Sequence, residues 1–528
     1  MTERYQVIIV GGGPVGVALA VDLGLRGVSC ALIERHHEPQ RIPKGQNLTA
    51  RTLEHFYFWG IEEEMRRARV MPPGYPIGNV TVYGTLMGDY WYAPRGHEVT
   101  NRFFFTRNER LPQYLTEGVL RGRLATLPSV TALFGKTAKQ VEQDDRGVRV
   151  TVADDGWPYE ETALEAEYVV GCDGARSLVR DRLGIGLDGP EYDRRMVLAV
   201  LRSPDLHEGL KRFTPATTYR VLNPELQGLW QFFGRIDVGE TFFFHAPVPH
   251  DATRETFDAI GLLREAAGFE LQATLDRVGF WDFRIQVARE YRNGRGFIAG
   301  DACHSHPPYG GFGLNAGLED AVNLGWKLAA ALDGWGGDRL LDSYGQERRP
   351  IFLDIGISTI AGGIAEDRAF LEGYSPTTDR AAFERAWNAL AERNIWQGSF
   401  EPHYEGSPVV LGPDGAACSI YGRHTYAAQA GHHLAPQPLS TGRNVFEALG
   451  PGFTLLAFGA DDGAVRAFED AARSLRVPMT VLRDSLAGER QAYEAQLVLV
   501  RPDQYVVWAG QDAPADARAI VRTATGIA

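Results

Sequence analysis

Asp301 closes the apolar run Phe297 to Ala299 and follows Gly300, as a carboxylate does when a strand delivers it into a cleft. Beyond it stand His304 and His306, then Pro307-Pro308-Tyr309-Gly310-Gly311-Phe312-Gly313, which has neither the alternation of a strand nor the periodicity of a helix. The prolines fix φ, and the glycines permit backbone geometry and close ligand approach that a Cβ would forbid. From Leu314 on, Leu318, Ala321, Gly325, Leu328 and Leu332 recur on one helical face. A glycine-rich turn opening into a helix leaves unpaired N–H groups and the positive dipole end facing the turn, a place for a ligand that carries or gains negative charge. Asp173 repeats the arrangement. The buried-strand run Glu167 to Cys172 delivers Asp173-Gly174 to a short helix expected over Leu178 to Leu183.

The first residues of the chain carry a related pattern. Tyr5 to Val10 reads as a buried strand, followed by Gly11-Gly12-Gly13-Pro14-Val15-Gly16, a helix-length stretch to about Arg26, and a second strand, Val28 to Ile33, ending in Glu34. Gly11 makes the turn, Gly13 lets a pyrophosphate approach the helix N-terminus, and Gly16 lets the helix pack on the sheet. Glu34 is placed to accept hydrogen bonds from both ribose hydroxyls. Alone, GxGxxG is a weak signal; with strand, helix, second strand and terminal acid it is a dinucleotide fingerprint.

Other elements must position these residues. A polar loop after Glu34 and Arg35 leads to Pro43-Lys44-Gly45-Gln46-Asn47-Leu48-Thr49-Ala50-Arg51, where Lys44 and Arg51 are either cations facing a cofactor or solvated surface charges. Leu111 to Leu127 reads as an amphipathic helix with Gln113 in its first turn. Residues 76–105 and Met196 to Phe283 are strand-rich, with the aromatic segments WQFFGR (230–235) and TFFFHAP (241–247). Such aromatics either line a pocket for a flat substrate or pack a sheet against its helices. Trp230 and Phe232 fall on one strand face, Gln231, Phe233 and Arg235 on the other. A helical pattern runs from Leu340 to Thr359, and a polar, less periodic stretch to about residue 410 includes a helix over Arg380 to Arg393. The tail then reads strand, helix, strand and two further strands around Arg501-Pro502-Asp503.

With 528 residues, the chain is long enough for two or three domains. Its net charge of −13 argues against nucleic acid or an anionic membrane as a partner. The apolar stretch over residues 5–25 is interrupted by glycines and a proline and is accounted for by the fingerprint, so neither export nor a membrane span is expected. The four cysteines form no CxxC, so no metal site is indicated, and reduced thiols in a cytoplasmic protein are the simplest reading.

In this order the motifs GGGPVG with Glu34, PKGQNLTARTLE, the Gln113 helix, CDGARSLVR, and GDACHSHPPYGGFGLNAGLEDAVNLGWKL with LLDSYGQERRP resemble the single-component FAD-dependent aromatic hydroxylases. These have the p-hydroxybenzoate hydroxylase fold; the likeness is to the branch with phenol hydroxylase and hydroxyphenylpropionate hydroxylase. The tail looks like that branch's thioredoxin-like domain, with its RPD-x-x-x-x-W segment at Arg501 to Trp508. Two departures stand out: Pro43-Lys44-Gly45 where the family usually has Pro-Arg-Ala, and Phe312 where it commonly has Gln. The tail lacks CxxC, which points to packing or an oligomer contact, so a homo-oligomer is a possible state.

The resemblance implies an α/β fold: a Rossmann-like FAD-binding domain (residues 1–75, 101–183 and 286–365) with an inserted sheet-rich substrate domain (76–100 and 184–285). A connector (366–440) and a C-terminal thioredoxin-like α/β domain (441–528) complete it. It implies FAD contacts from Gly11, Gly13, Pro14, Val15, Gly16, Glu34 and Arg35; from Lys44, Gln46 and Gln113; and from Asp173 and Gly174. Asp301 is expected at the ribityl chain, and Pro308, Gly311, Gly313, Leu314 and Asn315 around the isoalloxazine ring. It further implies NADPH or NADH as a transient electron donor, O2, and a flavin C4a-hydroperoxide that hydroxylates a phenolic or related heteroaromatic substrate. Trp230, Phe232, His245 and Tyr309 are the expected substrate contacts; Pro308, Tyr309 and His245 are expected nearest the chemistry. A histidine titrating near neutrality suits phenol deprotonation, with His245, His304 and His306 as candidates. Oxidative decarboxylation, epoxidation, Baeyer–Villiger insertion and a non-catalytic flavoprotein remain alternatives.

Overall fold

The computed structural model describes residues 3–94, 100–154, 161–392 and 400–527. Residues 95–99 of the second-sheet stretch and Arg393, the expected end of one helix, lie outside them. The strand Glu3–Val10 runs from an exposed start to buried Val7, Ile8, Ile9 and Val10 and pairs in parallel with both Cys30–Glu34 and Glu161–Gly171. Val130–Phe134 and Gly296–Ile298 extend the parallel sheet on either side. Register then does the positioning: Val10 lies opposite Ile33 and Gly171, and Gly171 opposite Ile298. Gly11, Glu34, Cys172-Asp173 and Ala299 therefore leave the sheet at one carboxyl edge, the usual ligand edge of such a sheet.

Helix Pro14–Leu25 packs across helix Phe312–Leu332. A Cβ on Gly325 would lie 2.3 Å from Asp22 Oδ2, and one on Gly317 2.6 Å from Val15 Cγ2, so the crossing depends on these small positions. The helix begins at Phe312, earlier than the expected Leu314, because Gly310 and Gly311, both left-handed at φ 74° and 71°, complete the turn before it. The helix expected to reach Leu183 is Leu178–Arg182.

The second sheet has seven strands in the order Thr274–Arg284, Glu191–Arg202, Thr241–Val248, Gln231–Arg235, Thr218–Leu222, Asn79–Tyr83 and Trp91–Tyr92. Its strand alternation sorts the aromatics. Phe233, Phe242 and Phe244 enter a core with Leu206, Leu263 and Leu271. Phe232 and Phe243 face Tyr309, Ile351 and Ile355 on the other side. Helix Gly362–Gly373 occupies part of the stretch read as polar; its apolar Phe370 packs with Phe383 and Trp387, a face too sparse to give a clear period.

In the tail, Phe453–Phe458 pairs in parallel with Met479–Asp484 and antiparallel with Leu497–Val500, which pairs with Val506–Gly510. Helices Asp462–Ser474 and Ala517–Ala524 bury their apolar faces against it. Among the described residues no helix is long and apolar enough to cross a membrane.

Candidate active site

One continuous cavity of about 1400 Å³ runs from Gly11–Val15 past Glu34 and Asp301 to Trp230, Phe232 and His245. That exceeds the roughly 300–1,000 Å³ of a single small-molecule pocket and leaves room for a dinucleotide and a second ligand. Gly11 is left-handed at φ +103°, and a Cβ on Gly16 would lie 1.9 Å from Gly11 O, so both are dictated by the protein's own packing. Gly13 differs: its φ is −69°, and a Cβ there would meet nothing within 4 Å. The open side of Gly13 is cavity.

Helices Pro14–Leu25 and Phe312–Leu332 start without a side-chain cap. Uncapped N–H groups beside a cavity suit a diphosphate at one end and an electron-accepting ring at the other. Glu34 accepts hydrogen bonds from the Gly12 and His36 N–H groups at 2.7 and 2.8 Å, which fix its carboxylate and leave lone pairs for ribose hydroxyls. Asp301 lines the cavity, exposed and with no hydrogen bond to the described residues. Gln46 is buried with its Oε1 unpartnered. Gln113 accepts from Gly45 N–H at 3.3 Å and holds the loop, while Arg35 and Lys44 line the cavity as exposed cations. These donors and openings fit FAD.

Hydrogen-bond partners bear on four expected roles. The Asp173 carboxylate accepts from Ser177 Oγ at 2.5 Å and Val179 N–H at 3.2 Å, which braces its turn and leaves lone pairs at the cavity, and Gly174 brings backbone to it. Asn315 spans Asn47 O, Gly311 O, Thr49 N–H and Thr52 Oγ1 at 2.7–3.0 Å, pinning the helix start rather than reaching a ligand. Arg51 is held by Glu319, Glu54 and Gln504 and is no phosphate cation. His304 is buried against Asp320 at 2.7 Å and stacked on Phe352, so it is no base for a substrate.

The far end of the cavity is an aromatic chamber. Across the sheet, Phe232, His245, Leu198 and Gly279 lie in one cross-strand row, all lining the cavity, with Phe243 and Trp281 beside them. Phe243 and Trp281 were missed from sequence; counting two residues back from His245 points to the first. Tyr309 stacks on Trp230 at 4.5 Å, and its hydroxyl both accepts from Trp230 N–H and donates to Trp230 O. Trp230 Nε1 donates to Asp367 at 2.6 Å, under the Arg220 guanidinium. Tyr309 thus presents its ring rather than a proton, and Pro308, without a titratable group, fixes the turn.

His245 is 2% exposed with neither ring nitrogen hydrogen-bonded. Burial takes it down to about 3. It therefore offers hydrogen bonds rather than the near-neutral base strength expected. Burial likewise takes His306 down to about 4.

The family described as FAD binding domain matches residues 4–355, and that described as aromatic-ring hydroxylase, C-terminal, matches residues 427–528. The chain is 31% identical to a rifampicin monooxygenase of Streptomyces venezuelae, over 96% of each sequence. It is 30% identical to a tetracenomycin A2 monooxygenase-dioxygenase of Streptomyces glaucescens, over 99% of this chain and 96% of that protein. Among solved structures, the flavin-dependent monooxygenase PieE in complex with FAD and substrate superposes with a TM-score of 0.85 at 27% identity, over 99% of this chain and 98% of that one. The fingerprint edge, the uncapped helix starts and the two family matches lead to one conclusion: this chain belongs to the FAD-dependent aromatic-ring hydroxylases and is a flavoprotein monooxygenase.

Proposed function

We propose that this enzyme hydroxylates a phenolic or related heteroaromatic substrate, of the polyketide kind, using O2 and electrons from NADPH or NADH. The observation that carries this reading is the chamber of Trp230, Phe232, Phe243, His245 and Trp281, continuous with the dinucleotide cleft and closed by the Tyr309 turn. The similarity to a tetracenomycin A2 monooxygenase-dioxygenase and a rifampicin monooxygenase supports the substrate class.

Bound FAD supplies the redox and oxygen-transfer chemistry; the protein places and shields it. Gly13 and the start of helix Pro14–Leu25 would hold the pyrophosphate, Glu34 the ribose and Asp301 the ribityl chain. The N–H groups of Gly313 and Leu314, at an uncapped helix start, would stabilise negative charge gained by the ring on reduction. The aromatic walls seat a flat substrate and exclude water, which otherwise diverts the oxygen to H2O2. His245, neutral at physiological pH, orients a substrate hydroxyl by hydrogen bonding.

The test is a screen of fused-ring phenols and hydroxypyridine-like compounds for stimulated NADPH or NADH oxidation by the flavin-loaded protein, with product mass. A gain of one oxygen atom on an intact ring system supports the reading. Loss of carbon, ring expansion, or no stimulated oxidation by any compound counts against it.

A further inference from the structure

His432 lies between two carboxylates, beside a buried imidazole whose Nδ1 has no hydrogen-bond partner. Its Nδ1 is 2.8 Å from Glu401 Oε1, and its Nε2 is 2.9 Å from Glu405 Oε1. The His403 ring stacks on it, 4.9 Å between centroids and 6° from parallel. His403 Nδ1 has no hydrogen-bond partner and stands 3.8 Å from the other oxygen of Glu405. His403 is 7% exposed and Glu401 4%, and Glu401 Oε2 is also unpartnered. Two unsatisfied buried polar atoms in one cluster call for an explanation.

The backbone brings this cluster together from two segments. Tyr404 N–H donates to Gly431 O at 2.7 Å, and Gly431 N–H donates to Val506 O at 2.8 Å. Gly431 is left-handed at φ +89°, and a Cβ there would sit 2.4 Å from Glu405 N. The glycine thus lets His432 approach the strand Phe400–His403 and the residues after it.

We propose that His403 Nδ1, Glu405 and His432 Nε2 bind one divalent transition-metal ion of the Zn(II) class, a staple between the Phe400–His403 strand and the Gly431–His432 segment, which pairs with Val506 of the C-terminal sheet. The candidate ligand atoms of these residues lie within 4.8 Å of one another. Ligands about 2.0–2.1 Å from a tetrahedral zinc stand roughly 3.4 Å apart; here one Glu405 oxygen lies 2.9 Å from His432 Nε2 and the other 3.8 Å from His403 Nδ1. Two imidazoles and a carboxylate with no thiolate suit such an ion. Glu401 supplies the usual outer partner: accepting from Nδ1–H of His432, it fixes the tautomer that turns the Nε2 lone pair inward. The ion replaces the proton that Nε2 and Glu405 otherwise share, and the fourth position is open to water.

The experiment uses flavin-loaded full-length protein, stripped with a chelator, dialysed, and titrated with Zn2+ by equilibrium dialysis. Wild type is expected to bind one Zn2+ per chain and to melt at a higher temperature with it. His403→Gln leaves both contacts of His432 intact; it should bind at least tenfold more weakly, lose the thermal shift and keep its flavin. Glu405→Gln provides a second variant and should weaken binding likewise. Equal Zn2+ affinity in wild type and either variant, or no Zn2+ bound by wild type, overturns the proposal.

Discussion

Arg501 and Glu347, 154 positions apart, meet as a two-bond ion pair at 2.7 and 3.0 Å with both side chains fully buried. Asp503 accepts from the same guanidinium, Lys327 and Asn323 donate to Glu347 at 2.7 Å, and Trp326 Nε1 donates to Asp503 at 3.1 Å. Against the upward push of burial, Arg501 and Lys327 hold Glu347 well below the carboxylate range. The Arg-Pro-Asp segment of the C-terminal domain therefore docks on helices Phe312–Leu332 and Asp338–Leu353 of the same chain. Arg501→Leu should cost roughly 3–5 kcal/mol, the scale of an orphaned buried charge. A melting-temperature change near zero would show that the pair does not hold the domains together.

Gly13 and Gly16 separate cofactor binding from folding. Gly16→Ala places a methyl on Gly11 O and should lower the melting temperature of the flavin-free protein. Gly13→Ala meets no protein atom, so the flavin-free protein should melt as wild type while FAD retention falls; Gly13→Val should be colourless. Full flavin in Gly13→Val would move the pyrophosphate elsewhere.

Asp301 makes no hydrogen bond to the described residues, so its removal should leave the fold intact. Asp301→Ala should weaken FAD binding by roughly one to two powers of ten, the scale of a charge-assisted hydrogen bond of about 1.5–3 kcal/mol. Titration of the stripped protein with FAD reads this directly, and wild-type affinity would remove Asp301 from the site.

Phe232 and Phe233 face opposite sides of one strand. Phe232→Leu should raise the H2O2 formed per NAD(P)H, because a loosely seated ring lets oxygen escape transfer. Phe233→Leu should lower thermal stability by about 1 kcal/mol or more and leave coupling unchanged. The reverse pattern would place the substrate on the other face.

The low-lying His245 makes a pH prediction. Its folded value, about 3, lies below the unfolded value near 6.5, so the unfolded chain takes up a proton first as pH falls. The stabilising contribution is complete above the unfolded value and is lost on acidification towards the folded one. Between pH 7 and pH 5 this amounts to about 2 kcal/mol. Urea denaturation at the two pH values should show His245→Phe losing that much less stability than wild type; equal losses would mean that His245 is solvated.

The fingerprint was legible in sequence because it is local. Gly11, Gly13, Gly16 and Glu34 lie within one strand–helix–strand unit, where spacing alone fixes who meets whom. The uncapped helix after Gly310-Gly311 was legible for the same reason, and period two in the strand separated Phe232 from Phe233. Side chains whose hydrogen bonds go to distant partners were not legible. Asn315 carries the right chemistry at the right edge, yet the Asn47–Thr52 segment claims it. Glu401 and His432, 31 positions apart, have no periodic relation, and only the pairing of residues 404, 431 and 506 brings them together. Sequence by itself determined which backbone can approach a ligand, since φ and the absence of a Cβ are properties of single residues. Tertiary structure decided which polar side chains remain free to bind one, because that depends on every partner that burial brings within hydrogen-bonding distance.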